Sequence, residues 1–142
     1  MVEGKLNKDK TILVIRKGEM IVETIKGWCQ KEGITSGLIQ GIGAVDRAEI
    51  AHYNVETKKY TPMVLKEALE MVTLTGNVFR DEKGELVIHL HVGLGRANGE
   101  LMGGHLVEAR VGGVGEIIIE AVSSELIKKY DNETGLKILS ES

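Results

Sequence analysis

The sequence has 142 residues, of which 42% are hydrophobic and 27% charged, and its formal net charge at pH 7 is −3. This composition predicts a single soluble globular domain over residues 1–142 that buries roughly two-thirds of its unfolded surface. The acidic balance and the absence of a long Lys or Arg run count against strong DNA binding by this chain alone, although a local basic patch stays open. No apolar run approaches the ~18 residues of a spanning helix and the N-terminus lacks a signal-peptide core, so we expect a cytoplasmic protein.

The first part of the chain predicts a strand, a helix and a glycine-rich apolar stretch. Residues 11–16 (TILVIR) predict a strand, and apolar residues including Ile21, Ile25 and Cys29 then recur at helical spacing over residues 19–31, with Gly33 as a stop signal. Cys29 is the only cysteine, which excludes an internal disulfide and a cysteine-based zinc site, and we expect its thiol to be buried. Residues 37–45 (GLIQGIGAV) do not form a dinucleotide-binding loop, because Asp46 replaces the third glycine and no helix follows.

The rest of the chain predicts consecutive strands in an antiparallel meander. Among the segments over residues 48–54, 58–66 and 69–79, Pro62 predicts that the second is an edge strand or an irregular connection, and Gly76 indicates a bulge in the third. After the strand that carries two histidines, we expect the following elements in order: strands over residues 106–111 and 116–122 with a break at 112–115, a helical turn over 123–130 and a closing strand over 136–139. The predicted fold class is α+β, a predominantly antiparallel sheet with one main amphipathic helix packed on it.

Three of the four histidines fall within residues 85–106 (ELVIHLHVGLGRANGELMGGHL). Leu90 and Val92 lie on one side of a period-2 alternation and His89 and His91 on the other, as in a strand with one buried face. Same-face neighbours on a strand are about 6.5 to 7 Å apart at Cα. Two neutral imidazoles at that spacing can converge on one ion through Zn–N bonds of about 2.0 to 2.1 Å, so a chelate needs only a third ligand.

The turn between the two histidine-bearing segments decides whether His105 can be that ligand. A two-residue loop at the Asn-Gly step would point His105 to the apolar face. A three-residue loop, with Gly99 in the left-handed position of a G1 bulge, places His105 directly across from His91. We expect the second register, and we expect Gly103 and Gly104 to leave room for the close approach of another backbone or a ligand.

The histidine cluster has other interpretations that the residues alone leave open. The three side chains can instead form a pH-sensitive polar patch or an oligomer contact. His52, on the strand over residues 48–54, is a possible extra ligand, although an ordinary histidine on the sheet surface is the expected role.

Together these motifs resemble the plant- and prokaryote-conserved domain, called PPC or PCC, which in plants is attached to AT-hook DNA-binding motifs. The resemblance covers nearly the whole chain, through GIGAV (41–45), LEMVTLTGNV (69–78), HLHVGL (89–94), GGHL (103–106) and GEIIIE (115–120). It implies that His89, His91 and His105 are a metal-binding triad for a divalent ion, expected to be zinc. It further implies a homotrimer with the family's α/β arrangement and largely antiparallel sheet.

The chain also departs from the plant proteins. It contains no Arg-Gly-Arg-Pro AT-hook, so minor-groove binding by such a hook is not implied. The architecture is similar to that of acetolactate decarboxylases, which hold zinc with three histidines, but no further motif carries that activity over.

Two functions of different class follow from these observations. We prefer a trimeric metal-binding module, DNA-binding or regulatory, in which the histidines hold a structural or regulatory ion. The alternative is a metal-dependent, zinc-type enzyme acting on a small polar substrate, because three neutral histidines leave a tetrahedral zinc with one open position. That enzyme would need an acid or base and a charge clamp. The candidates, each of which is more readily interpreted as a solvated or salt-bridged residue, are Glu70, Glu108, Arg96 and Arg110.

Overall fold

The computed structural model describes residues 1–142 as nine strands and one helix. In chain order they are β1 (Val2–Lys5), β2 (Lys10–Arg16), α1 (Ile21–Glu32), β3 (Ser36–Asn54), β4 (Lys59–Leu65), β5 (Leu69–Arg80), β6 (Leu86–Gly95), β7 (Leu101–Ala121), β8 (Ile127–Tyr130) and β9 (Lys137–Ser140). Seven strands pair antiparallel in the order β1-β2-β7-β6-β5-β3-β4, and β8 pairs antiparallel with β9. The predicted α+β class, with a mainly antiparallel sheet and one helix, is confirmed. No helix has the length and apolar character needed to span a membrane.

Two long strands, β3 and β7, organise the sheet. They pair with each other from Gly37 opposite Ala121 to Ala51 opposite His105. Since β3 also pairs with β5, β5 with β6 and β6 with β7, these four strands close into a ring. Such closure leaves few unpaired backbone groups around the ring. β4, which contains Pro62, pairs only with β3, so the predicted edge position is confirmed.

The core is one cluster of 23 buried residues, nearly all of them aliphatic. Helix α1 contributes four of these residues from one face, namely Ile21, Ile25, Trp28 and Cys29. The helix ends at Gly33, whose φ of 67° lies in the left-handed region that glycine adopts without strain. The predicted amphipathic helix, its stop signal and the buried thiol are therefore confirmed. Burial raises the pKa of Cys29 to about 12, so this thiol stays protonated and unreactive at neutral pH.

The structure corrects the prediction of a bulge at Gly76. This residue lies in an unbroken part of the ladder, opposite Ile39 on one side and Leu90 on the other. A Cβ at this position would collide with the backbone carbonyl oxygen of His89. Glycine is required because two backbones come close together here, whereas the register shift of β5 occurs between Met71 and Thr73.

The predicted strand break at residues 112–115 and the predicted helical turn at residues 123–130 are also wrong. Strand β7 runs through the glycine-rich segment, where three of its residues lie opposite the single residue Ala44 of β3. A bulge replaces the break because β3 continues to supply ladder partners on both sides of it. The second segment leads into β8, since pairing with β9 overrides the local helical pattern.

The β8–β9 hairpin is attached to the main sheet through Asp81. The backbone of Asp81 forms an isolated parallel bridge with Lys128, and Nζ of Lys137 donates a hydrogen bond to its Oδ2 at 2.7 Å. Near the turn of the hairpin, the Tyr53 hydroxyl donates to the carbonyl oxygen of Thr134 at 2.7 Å. The hydrogen bond from Lys137 holds the pKa of Asp81 below its usual value. These contacts fix the position of the hairpin relative to the long strands.

Replacing Asp81 with Asn should lower the free energy of unfolding at neutral pH, because the charge-assisted hydrogen bond between its carboxylate and the half-exposed Lys137 is lost. The folded-state pKa of Asp81 lies below the unfolded value, so its contribution is complete above the unfolded pKa and disappears as the pH falls through the folded pKa. Urea unfolding curves of wild type and variant should therefore differ at neutral pH and coincide at acidic pH. Asp9→Asn, at an exposed carboxylate without an ion pair, is the control. An equal loss at Asp9, or a difference at Asp81 that is independent of pH, would contradict this role.

Candidate metal centre

The hairpin between β6 and β7 has the register that the sequence predicts. Gly99 has a φ of 84°, and its N–H donates to the carbonyl oxygen of Arg96 at 2.9 Å. The Arg96 N–H in turn donates to the carbonyl oxygen of Glu100 at 2.8 Å. These bonds close a three-residue loop and set His91 directly opposite His105, so the prediction of the three-residue loop is confirmed.

Three histidine rings meet on one face of this hairpin. The Nε2 atoms of His89 and His91 are 3.3 Å apart, and the ring centroid of His105 lies 5.4 and 5.8 Å from the centroids of those two rings. One potential ligand nitrogen of each ring lies within 4.8 Å of the other two. Two nitrogens bound tetrahedrally to one zinc ion at about 2.0–2.1 Å are about 3.3–3.4 Å apart. The first two rings therefore already have the spacing of a chelate.

Glycines allow the backbones around these rings to approach closely. A Cβ at Gly103 would collide with the carbonyl oxygen of Val92, and a Cβ at Gly104 would lie 2.9 Å from a carbonyl oxygen of β3. Gly76 plays the same part on the other side of β6, against the carbonyl oxygen of His89. The prediction of a close backbone approach at Gly103 and Gly104 is confirmed. The histidines are thus carried by tightly spaced strands and not by loops.

The environment of the cluster favours neutral imidazoles. Burial lowers the pKa of His89 to about 4, with further contributions from the positive charge of Lys128 and from the two neighbouring rings. Burial also lowers the pKa of His105, as does its proximity to His91. Neutral rings offer lone pairs to a cation. In addition, Nδ1 of His105 is buried without a hydrogen-bond partner, and such unsatisfied atoms are uncommon in native proteins. The donor set fits a divalent metal ion.

The cluster opens into a cavity of about 870 Å³. All four histidines of the chain line this cavity, and no Asp or Glu residue does. His52 is exposed on the lining but lies outside the group of three converging rings. The β8–β9 hairpin and the residues leading into β9 supply an additional part of the wall, including Lys128, Tyr130, Leu136, Ile138 and Leu139.

Lys128 is the residue of this cavity that the sequence analysis missed. Its exposed fraction is only 4%, and no carboxylate lies within ion-pair distance of its ammonium group. Burial lowers the pKa of this lysine. The local sequence IKKY does not distinguish Lys128 from Lys129, because only the docking of the hairpin buries the first of them. No sequence signal could have identified it.

The four charged residues considered as catalytic candidates do not line the cavity. The carboxylate of Glu108 accepts hydrogen bonds from two backbone N–H groups in the first turn of α1, at 2.7 and 3.0 Å, and so caps that helix. Arg96 pairs with Glu67 at 2.9 Å, and Arg110 pairs with an aspartate of β3 at 2.7 Å. Glu70 is exposed at the start of β5. Each of the four residues thus has a structural role or is exposed to solvent, as expected from their interpretation as solvated or salt-bridged residues.

Comparison with known proteins links this architecture to a family. The sequence matches the model of the Plants and Prokaryotes Conserved (PCC) domain over residues 3–123. A plant- and prokaryote-conserved (PPC) protein from Pyrococcus horikoshii is 34% identical, with a TM-score of 0.85 over 99% of this chain and 94% of its own. A metal-containing protein from Archaeoglobus fulgidus is 33% identical, with a TM-score of 0.88 over 99% of both chains. A structure from Bacteroides thetaiotaomicron, described as a candidate DNA-binding protein, is 32% identical, with a TM-score of 0.90 over 96% of this chain and 94% of its own. No curated protein matches the sequence.

Proposed function

Because the chain belongs to the Plants and Prokaryotes Conserved (PCC) domain family, we propose that it is a homotrimeric metal-binding module with a regulatory or DNA-associated role. The residues that hold the ion are His89, His91 and His105. The observation that carries this proposal is the convergence of their three ligand nitrogens within 4.8 Å of one another. The metal-containing relative from Archaeoglobus fulgidus supports it.

The proposed ion is zinc. Imidazole nitrogens suit zinc as well as copper, iron and nickel, and the 3.3 Å between Nε2 of His89 and Nε2 of His91 is the spacing of two ligands on a tetrahedral ion. A zinc ion held by three protein ligands would have a fourth coordination position available to water or to a ligand. When bound, zinc would supply Lewis-acid chemistry at that position, while the chain's own residues hold the ion and shape the space around it.

A metal-dependent enzyme acting on a small polar substrate is the second candidate function. The cavity of about 870 Å³ beside the histidines favours it, because space next to an open coordination position is what a substrate requires. However, no carboxylate that could act as a general acid or base lines this cavity. The binding role is therefore the better supported of the two.

The homotrimer is supported by an exposed apolar surface, which we call the open sheet face. Leu38 and Ile42 of β3 are 51% and 56% exposed, and Val114 of β7 is 41% exposed. The register of β2, β3 and β7 places the half-buried Ile12 and Ile118 on the same face. Single exposed apolar side chains are ordinary, whereas several on one sheet face are typical of an interface, and here Glu120 and Glu116 lie beside them, opposite Leu38 and Ile42.

DNA association is the part of the proposal that rests on relatives alone. The Bacteroides thetaiotaomicron protein is described as a candidate DNA-binding protein. This chain has a net charge of −3 and no AT-hook, so an extended basic stripe on one subunit does not account for binding. Any contact would instead use a surface of the assembled trimer or a partner protein.

Metal binding is tested by replacing one ligand. His91→Ala should lower the affinity for zinc by more than about 100-fold, because loss of even an outer hydrogen bond to a ligand typically costs 10- to 100-fold. The measurement is a competition titration against a chromophoric chelator, with metal analysis expected to give one ion per chain. His52→Ala is the matched control, since His52 lines the same cavity outside the cluster. An unchanged zinc affinity of the His91 variant, or an equal loss of zinc affinity in both variants, would contradict the proposed ligand set.

The oligomeric state is tested by light scattering coupled to size exclusion. The wild-type particle should have three times the 15.5 kDa mass of the chain. Ile42→Glu should reduce this mass, because a charge on the open sheet face would be desolvated in the assembly. Val55→Glu, at a 53% exposed residue just beyond the end of β3, should leave the mass unchanged. A wild-type mass of one or two chains contradicts the trimer.

DNA association is tested by fluorescence anisotropy with a labelled duplex at several salt concentrations. If the assembled protein contacts phosphates, the affinity should fall by about tenfold or more between about 50 and 200 mM salt. Comparison of wild type with the His91→Ala variant shows whether binding depends on the metal. Undetectable binding at the lowest salt concentration would remove direct DNA association from the proposal.

A further inference from the structure

We infer that the histidine cavity binds a small organic carboxylate, whose charged end lies between the metal ion and Lys128 and whose apolar body rests on the β8–β9 hairpin. This inference rests on the proposed metal at the three converging histidines and names the class of ligand for that site. It follows from three features of the cavity: the charge of its lining, the position of one lysine and the apolar character of one wall.

The first feature is the absence of acidic groups. The titratable residues of the lining are four histidines, two lysines and three tyrosines. Neutral imidazoles do not compensate the charge of a divalent ion, and no carboxylate of the protein lies in the cavity to do so. A ligand that enters the open coordination position is therefore favoured if it carries negative charge.

The second feature is the different situation of the two lysines. Lys137 is paired with Asp81 at 2.7 Å and so is already neutralised. Lys128 is 4% exposed and has no such partner. A largely buried cationic side chain without a counter-ion is unfavourable, because burial removes part of its hydration. An anion bound beside Lys128 would offset that cost through a charge-assisted hydrogen bond.

The third feature is the apolar remainder of the lining, which includes Val87, Ile88, Leu136, Ile138 and Leu139. The volume of about 870 Å³ lies within the range of small-molecule sites. A ligand that fills such a space needs an apolar or aromatic body in addition to its charged group. A carboxylate fits better than a phosphate, because no arginine and no helix N-terminus lines the cavity and only one lysine is without a partner.

Lys128 and much of the apolar wall come from the C-terminal hairpin. The family model matches residues 3–123 and therefore ends before β8 begins at Ile127. The metal ligands and the proposed ligand-selecting residues thus belong to different parts of the chain. The hairpin therefore determines the class of ligand, while the three histidines hold the metal ion.

The test uses the full-length protein loaded with cobalt(II), whose visible spectrum reports a change at the open coordination position. Benzoate is the probe, with benzamide as its neutral counterpart and inorganic phosphate as the alternative anion. Benzoate should give a saturable spectral change, with both other compounds at least about tenfold weaker. Calorimetry of the same titrations provides a second readout.

Lys128→Met should weaken benzoate binding by about tenfold or more without weakening cobalt binding, since methionine keeps an apolar stem and removes only the positive charge. Lys129→Met, at the next position of the same strand and outside the cavity lining, should change neither quantity.

The outcomes separate the two proposals. Failure of wild-type protein to bind cobalt overturns both the proposed function and this inference. Cobalt binding without any benzoate signal in either readout overturns the inference alone. It is likewise overturned if benzamide or phosphate binds as well as benzoate, or if Lys128→Met binds benzoate like wild type.

Discussion

The register of the β6–β7 hairpin is the constraint on which the candidate site depends. Side chains alternate between the two faces of a strand, so a slip of one residue would move His105 to the opposite face from His89 and His91. The left-handed φ of Gly99, 84°, selects the three-residue loop, and a residue with a Cβ would adopt that conformation only at a cost of about 1–2 kcal/mol. A single turn glycine therefore determines whether the three imidazoles can converge.

The precision of the cluster comes from the strands on either side of this hairpin. Gly76 and Gly104 let the neighbouring backbones approach to distances that any side chain would prevent. The ring of pairings through β3, β5, β6 and β7 then holds these backbones in place on both sides. Sites carried on paired strands keep their geometry better than sites carried on loops. The fold thus supplies rigidity at the ion, and the separately anchored β8–β9 hairpin supplies the wall that faces it.

The features that the sequence predicts correctly are those with local causes. The helix follows from its 3.6-residue periodicity and the left-handed stop at Gly33, and the histidine face follows from strand alternation and the turn at Gly99. The errors concern residues whose environment is set by distant parts of the chain. The glycine at position 76 is required by a neighbouring strand and not by a bulge, and Lys128 is buried only because the hairpin docks beside Asp81. The single-domain organisation and the cytoplasmic location stay predictions.

The chemical nature of the converging atoms has one more consequence. All of them are imidazole nitrogens. The one sulfur that could compete for the metal as a thiolate belongs to Cys29, which is buried in the aliphatic core with its pKa raised to about 12. Thiolate sites lose their metal when oxidants convert sulfur to a disulfide or a sulfenic acid, whereas imidazoles do not undergo this chemistry. Occupancy of the site should accordingly follow metal supply and acidity and be indifferent to oxidative stress.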